Sequence, residues 1–511
     1  MNLLATELSV GLICFLVYRK LYTAWKDRGP PGPRGLPIIG NMLQIRKLPW
    51  ITFTTWTREY GPIYRINIGG QNAIILGSTK VASDILDRRS GITGDRPQNI
   101  VTRILTGDLI FAFSQIGQTW RRMRKASHDA LGPQIAKNYH SLQEREAIVL
   151  VDEMIQTPLQ FNAHIKRASA SIVMSIIYGI PIADSKDPIV MNITQFVDRA
   201  LGAAAPGAFL VEYFTWMQYL PRWMSGWRRY AEFWYQQDSV MLTGLFSKAQ
   251  TRREKGEDGP SVAAALMDST EKDALTLVDS AWLSATLYAA GAETSAGQME
   301  WFMISMLLHP EVQTAAQRQL DDVVGRGRMP TFADYDHLPY IRAIVKEVLR
   351  WRTVLPIGLP HRVSEDDWYE GFFIAKDSIL IPNIWGMNHD PAIYGEDAEA
   401  FRPERHLTED GILASAPKDT KDESHCSYGF GKRICVGRHV ANRSLFIEMA
   451  TILWIFNILP SKDHNGNPML PDARPTRGDS LNLRPAPFQC EIVPRFENAT
   501  EIVAQAKSMI V

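Results

Sequence analysis

The stretch Tyr428-Gly-Phe-Gly-Lys-Arg-Ile-Cys435-Val-Gly437 sets a cysteine among three glycines, with Lys432 and Arg433 just ahead of it. A thiolate is a strong, soft metal ligand, and nearby positive charge lowers the pKa of a thiol. Glycine lets a backbone turn tightly and come close to a flat ligand. From Arg438 the residues fall into a helical pattern, so Cys435 stands just before a helix N-terminus, where the dipole favours a thiolate. Arg433 lies on another side of the turn and could pair with a carboxylate while the sulfur faces a metal. Two other readings compete: a small buried cysteine beside a glycine turn, and a zinc site drawing on His425, Cys426, Cys435 and His439.

A second candidate lies in Ala290-Gly-Ala-Glu-Thr-Ser295, midway along a helical pattern running from about Leu275 to His309 and stopped by Pro310. An acid next to a hydroxyl, Glu293 and Thr294, is equipped to relay protons, and Gly291 allows a ligand to come close or the helix to distort. The alternative is a helix-packing site of small residues. Further upstream, Trp120 and Arg124 are four apart and share a helix face. An indole N–H and a guanidinium there can both reach a carboxylate; a solvated basic face is the alternative. Glu347 and Arg350, three apart, form an ion pair on one helix face, of a kind that is worth little at a surface.

These motifs together, in this order, resemble the cytochrome P450 superfamily, and most closely a fungal-type microsomal member. The resemblance implies that Cys435 is the axial ligand of the iron of haem b. It implies that Trp120, Arg124, Gly291, His361, Tyr428, Arg433 and Gly437 bind the cofactor, with Trp120, Arg124 and His361 on the propionates. It makes Glu293 and Thr294 the proton-delivering pair, and Glu347, Arg350 and Arg405 a structural triad. The chain departs from the family pattern at Tyr428, where phenylalanine is usual, at His406, where an aromatic residue is more frequent, and at Arg352-Thr353, where a proline is frequent. By the same resemblance residues 201 to 234 form the lid over the substrate entrance, and Gly478 to Leu483 form the last substrate-contacting turn.

The elements that must position these residues are expected to be mainly α-helical with small β-sheets. Ile63–Ile68, Gly69-Gly70 and Ala73–Leu76 predict a β-hairpin, and Ser78 predicts a helix cap ahead of Thr79. Leu3 to Tyr18 is mainly apolar and is followed by Arg19, Lys20, Lys26 and Arg28. About twenty apolar residues cross a bilayer, and positive charge after the run favours a cytosolic C-terminal side. The expected division is therefore a membrane anchor over 1–20, a basic and proline-rich linker over 21–40, and a catalytic domain over 41–511. Trp and Arg interleaved around Trp223 suit a membrane interface, or equally an ordinary core-and-rim helix pair.

Formal net charge is zero across 511 residues, which offers no support for nucleic-acid binding. Four cysteines in this length, at 14, 426, 435 and 490, exclude a disulfide-stapled secreted domain. The function expected is a haem-thiolate monooxygenase of the endoplasmic reticulum membrane, acting on an apolar, polycyclic or isoprenoid small molecule in secondary metabolism or xenobiotic oxidation. Electrons are expected from NADPH through a separate flavoprotein reductase, with cytochrome b5 as an optional second donor. Arg121, Arg122, Lys125, Lys432 and Arg438 are the candidate basic face for an acidic donor. The rivals are an oxygen-independent haem-thiolate isomerase or dehydratase, and a non-catalytic haem-binding protein. Sequons at Asn192, Asn442 and Asn498 are expected to be unused on a cytosolic domain.

Overall fold

A computed structural model describes residues 29–510, apart from positions 38, 46, 183–186, 205–206, 258, 270–274, 475 and 478–481. The expected anchor, the first part of the linker and most of the last substrate-contacting turn fall outside the described residues. Among the described residues, no helix is long and apolar enough to cross a membrane. The backbone forms two compact units between which the chain passes repeatedly. One takes the chain up to Pro97, Ile357–Met387 and Phe430–Lys432; the other takes Gln98–Pro356, Asn388–Gly429 and Arg433 onward.

The first unit is built on a small sheet. Strands Ile63–Ile68 and Gln71–Leu76 form the expected antiparallel hairpin, with Ile63 opposite Leu76 and Ile68 opposite Gln71. Gly69 and Gly70 turn it with φ of +59° and +91°, a region that L side chains rarely adopt. Gln71–Leu76 then pairs in parallel with Ile379–Pro382, which pairs antiparallel with His361–Arg362. Tyr64, Ile66, Ala73, Ile75 and Ile381 pack with Phe53 as its core. The proline-rich segment lies along this sheet: the carbonyl of Pro31 accepts Arg65 N–H at 2.7 Å. Ser78 caps the next helix, accepting Val81 N–H at 3.3 Å.

The second unit is helical. Its axis is the helix Leu277–Leu308, which is 32 residues long and starts at a capping box between Thr276 and Asp279. It packs against Phe161–Tyr178 and Gly226–Glu254. Its residues 280–288 and 296–307 are buried all round, as in a core helix. The middle differs: Ala290 and Glu293 are exposed, and Ala289, Gly291, Thr294 and Ser295 are partly so. The helix is thus dry at both ends and open along its middle. The helix Gln118–Leu131 carries Trp120 and Arg124, Pro339–Trp351 carries Glu347 and Arg350, and Arg438–Ile455 follows Cys435. A small antiparallel sheet sets Phe456–Lys462 between Cys490–Pro494 and Pro468–Met469.

The expected lid region is split between the two readings made of it. Leu210, Tyr213, Phe214, Trp216, Tyr219 and Trp223 are exposed, whereas Phe209, Trp227 and Trp234 pack against the core. Glu212 anchors the region by accepting the N–H groups of Ile100 and Val101, both at 2.9 Å.

Candidate active site

Cys435 is exposed to a water-sized probe, yet burial within the protein raises its thiol pKa. The sulfur is accessible and at the same time crowded by the surrounding chain. The expected lowering of this pKa is therefore corrected. The Gly437 N–H, Arg124 and Arg438 do pull it down, but desolvation of the charged form outweighs them. A coordinated metal reverses that balance, since a ligating thiol is deprotonated outright. Cys435 N–H donates to the carbonyl of Tyr428 at 2.8 Å, closing the loop. A Cβ on Gly437 would meet nothing within 4 Å, so the backbone is bare on that side.

Trp120, Arg124 and Arg433 come together around this loop. Arg433 stacks on the Trp120 ring at 4.2 Å and donates to the carbonyls of Ser114 at 2.7 Å and Phe111 at 3.3 Å. Trp120 Nε1 donates to the same Phe111 carbonyl at 3.3 Å. Arg124 donates to the carbonyl of Ile434 at 2.8 Å, and among the described residues it has no carboxylate partner. A half-buried guanidinium beside a thiol, with only a carbonyl in reach, is a seat for an anionic group. The accessible thiol, the bare Gly437 and these donors fit haem: a flat macrocycle with a central metal and acidic edges. The zinc reading finds no support, because among the described residues no group of three or more His, Cys, Asp or Glu side chains is arranged to hold a metal.

His361, in the first unit, is 4% exposed and so is not part of a surface turn. Its Nδ1 lies 2.9 Å from the carbonyl of Thr93 and donates to it.

The acid and alcohol of the central helix are not hydrogen-bonded to each other. Thr294 Oγ1 donates to its own helix, to the carbonyl of Ala290 at 2.7 Å. Glu293 is held by Arg484, whose Nη2 is 2.6 Å from Glu293 Oε2. Gly291 follows the packing alternative: a Cβ there would lie 3.0 Å from Val173 Cγ1 on the neighbouring helix. The central helix passes through this position without interruption, so the expected distortion is absent.

The triad is closed, and it has a fourth member. Arg350 and Glu347 are fully buried and joined by two bonds of 2.7 Å. Arg405 Nε reaches Glu347 Oε1 at 3.0 Å, as expected. His406 Nε2 adds a bond to Glu347 Oε2 at 2.8 Å, and Arg402 N–H one to Oε1 at 2.8 Å. Arg350 spends its other donors on the carbonyls of Asn388, Ala398 and Ala400. Burial pushes the Glu347 carboxyl up, but Arg350 and then His406 outweigh it and hold it down to about 2. Arg352 is settled by stacking its guanidinium 3.8 Å above Trp351.

Sequence reading missed Arg484, His406 as a Glu347 partner, and Asn442. Tyr428 donates its hydroxyl to Asn442 Oδ1 at 2.6 Å. Asn442 Nδ2 in turn donates to Glu423 Oε2 at 2.8 Å.

The family model for cytochrome P450 matches residues 30–489. The chain is 48% identical to a cytochrome P450 monooxygenase of Armillaria gallica, over 98% of this chain and 96% of that protein. It is 42% identical to cytochrome P450 monooxygenase 58 of Postia placenta, over 97% and 94%. It is 37% identical to cytochrome P450 monooxygenase iboC of Amanita muscaria, over 98% and 98%. With its thiol, basic cradle and buried Glu347 network arranged as described, this chain belongs to the cytochrome P450 family.

Proposed function

We propose that the chain is a reductase-dependent haem-thiolate monooxygenase that inserts one oxygen atom from O2 into an apolar small molecule, by hydroxylation or epoxidation. The observation that carries this reading is the accessible Cys435 thiol beside Arg124, whose guanidinium has no carboxylate partner among the described residues. The homologues named as monooxygenases agree with it.

Haem, when bound, supplies the oxygen-activating chemistry, and the protein supplies orientation and protons. Cys435 holds the iron through its sulfur. Arg124, Arg433 and Trp120, which here donate to backbone carbonyls, would hold the acidic edge. His361 is assigned to the same edge on the family resemblance alone. Thr294 keeps its hydroxyl proton on the Ala290 carbonyl until it is needed. Glu293, exposed and ion-paired with Arg484, is assigned to pass protons in from solvent. The exposed Ala290 and partly exposed Ala289 beside Thr294 offer an apolar surface that suits an apolar substrate.

Electrons are assigned to a separate NADPH-dependent flavoprotein, with cytochrome b5 as an optional donor. Arg121 and Lys125 are exposed on the helix Gln118–Leu131, which supports docking of an acidic partner there. Residues 1–20 are assigned as an endoplasmic reticulum anchor with the catalytic domain in the cytosol. The exposed Phe214, Trp216 and Trp223 support a second membrane contact. The test is oxygen uptake by the reconstituted protein with reductase, NADPH and a panel of terpenoids, steroids and aromatic hydrocarbons. Oxygenated product in step with NADPH use is expected; product without oxygen or NADPH would mean an isomerase or dehydratase.

A further inference from the structure

We propose that Asn442 and Glu423 are positioning residues that, through the Tyr428 hydroxyl, clip the Cys435 loop shut and determine how long the protein keeps its thiolate on the metal. The proposal rests on Cys435 being the haem ligand.

Tyr428 is held at both ends. Its carbonyl takes the Cys435 N–H at 2.8 Å, and its hydroxyl donates to Asn442 Oδ1 at 2.6 Å. Asn442 sits on the helix that follows Cys435, so the bond ties the loop's entry to its exit. The amide of Asn442 is fixed in orientation, because its Nδ2 donates to Glu423 Oε2 at 2.8 Å and a flip would break both bonds. Glu423 is itself anchored twice more. Lys346 Nζ donates to the carbonyls of Asp422 at 2.9 Å and Glu423 at 3.0 Å, and Arg438 Nε lies 3.7 Å from the Glu423 carboxylate. Lys346 is the neighbour of Glu347 in the helix Pro339–Trp351. A continuous series of bonds therefore runs from that helix through Glu423, Asn442 and Tyr428 to the Cys435 N–H.

The segment needs such holding. Asp419, Lys421, Asp422 and Ser424 all have φ between +54° and +66°, left-handed conformations that cost free energy in residues other than glycine. A phenylalanine at 428 has the ring but no hydroxyl, so it can shield the sulfur without closing the clip. The hydroxyl has one proton and gives it to Asn442, so it stabilises the loop and not the sulfur's charge.

The test uses the full-length holoprotein and the reduced carbon-monoxide complex, following the rate at which the thiolate-type spectrum converts to the thiol type on mild warming. Tyr428→Phe is isosteric and is expected to fold and load haem normally. It should convert about five- to tenfold faster, the effect of one lost hydrogen bond. Asn442→Leu should do the same, and the double variant should be no faster than either single, since both break one clip. Asn442→Asp alone should also be fast, because it sets two carboxylates together. Asn442→Asp combined with Glu423→Gln exchanges amide and acid and should restore the slow rate, which a merely structural loss would not do. Wild-type rates in the single variants, additive acceleration in the double, or no rescue by the exchange would overturn the clip. A thiolate-type spectrum that survives Cys435→Ala would instead overturn the haem-thiolate reading beneath it.

Discussion

Arg484 lies across the central helix and binds Glu293 Oε2 at 2.6 Å with one amino nitrogen and Glu300 Oε1 at 2.9 Å with the other. The two acids are seven residues apart and share a helix face, with Gly297 between them. A Cβ on Gly297 would press on Val354 Cγ1 at 3.2 Å and meet Arg484 Cγ at an ordinary 3.7 Å, so Arg484 runs over this position in contact with the helix. Trp301 secures the approach by donating Nε1 to the carbonyl of Leu483 at 3.1 Å. Burial raises the pKa of Glu300 against the pull of Arg484.

Removing the guanidinium leaves two carboxylates facing each other with no cation between them. Arg484→Gln is expected to keep its haem but to lower product formed per NADPH several-fold. Glu293→Gln should do likewise, and the double variant should lose little more. Coupling measured as product against NADPH and peroxide checks this; unchanged coupling in Arg484→Gln would remove the arginine from proton delivery.

The Glu347 network gives a pH prediction. The folded carboxyl is held at about 2, below its ordinary value of 4.5. Its stabilising contribution is therefore full above about pH 4.5 and is lost as pH falls towards 2. The stability gap between wild type and Glu347→Gln should be widest at neutral pH and close across that acid window. Glu347→Ala strands a buried Arg350 and should cost about 3–5 kcal/mol, seen as lost holoprotein. His406→Phe keeps both arginines and should cost about 1–3 kcal/mol, the value of one bond to a charged group. Thermal melts across pH check all three.

Truncation tests the assignment of residues 1–20. A chain starting near Gly29 should load haem and keep its thiolate spectrum, because the described fold is closed without those residues. It should retain some affinity for vesicles through Trp216 and Trp223. Loss of haem on truncation would contradict the division of labour.

Tyr428→Phe should leave the haem reduction potential unchanged, since the hydroxyl proton is committed to Asn442. A spectroelectrochemical titration of both forms decides it, and a large downward shift in the variant would mean that the hydroxyl bonds the sulfur.

Much of this site was legible where its residues are close in sequence. The four-residue step from Trp120 to Arg124 and the three-residue step from Glu347 to Arg350 are helix periods, and both pairs lie on shared faces. The hairpin at 63–76 was legible from alternation and two glycines. What sequence could not supply was burial and partners from afar. The charges around Cys435 were visible, but the desolvation that outweighs them was not. The close packing of Val173 on the Cβ side of Gly291 was equally invisible. Arg484 is 191 positions from Glu293, and His406 is 59 from Glu347, so no local spacing announced either.

The central claim is that Cys435 Sγ ligates haem iron. The most direct measurement is the absorption spectrum of the reduced carbon-monoxide complex in the wild type, Cys435→Ala, Cys426→Ala and Cys490→Ala. The account predicts a thiolate-type band in the wild type and in the Cys426 and Cys490 variants, and its loss in Cys435→Ala alone. A band that persists in Cys435→Ala, or disappears with Cys426 instead, would contradict it.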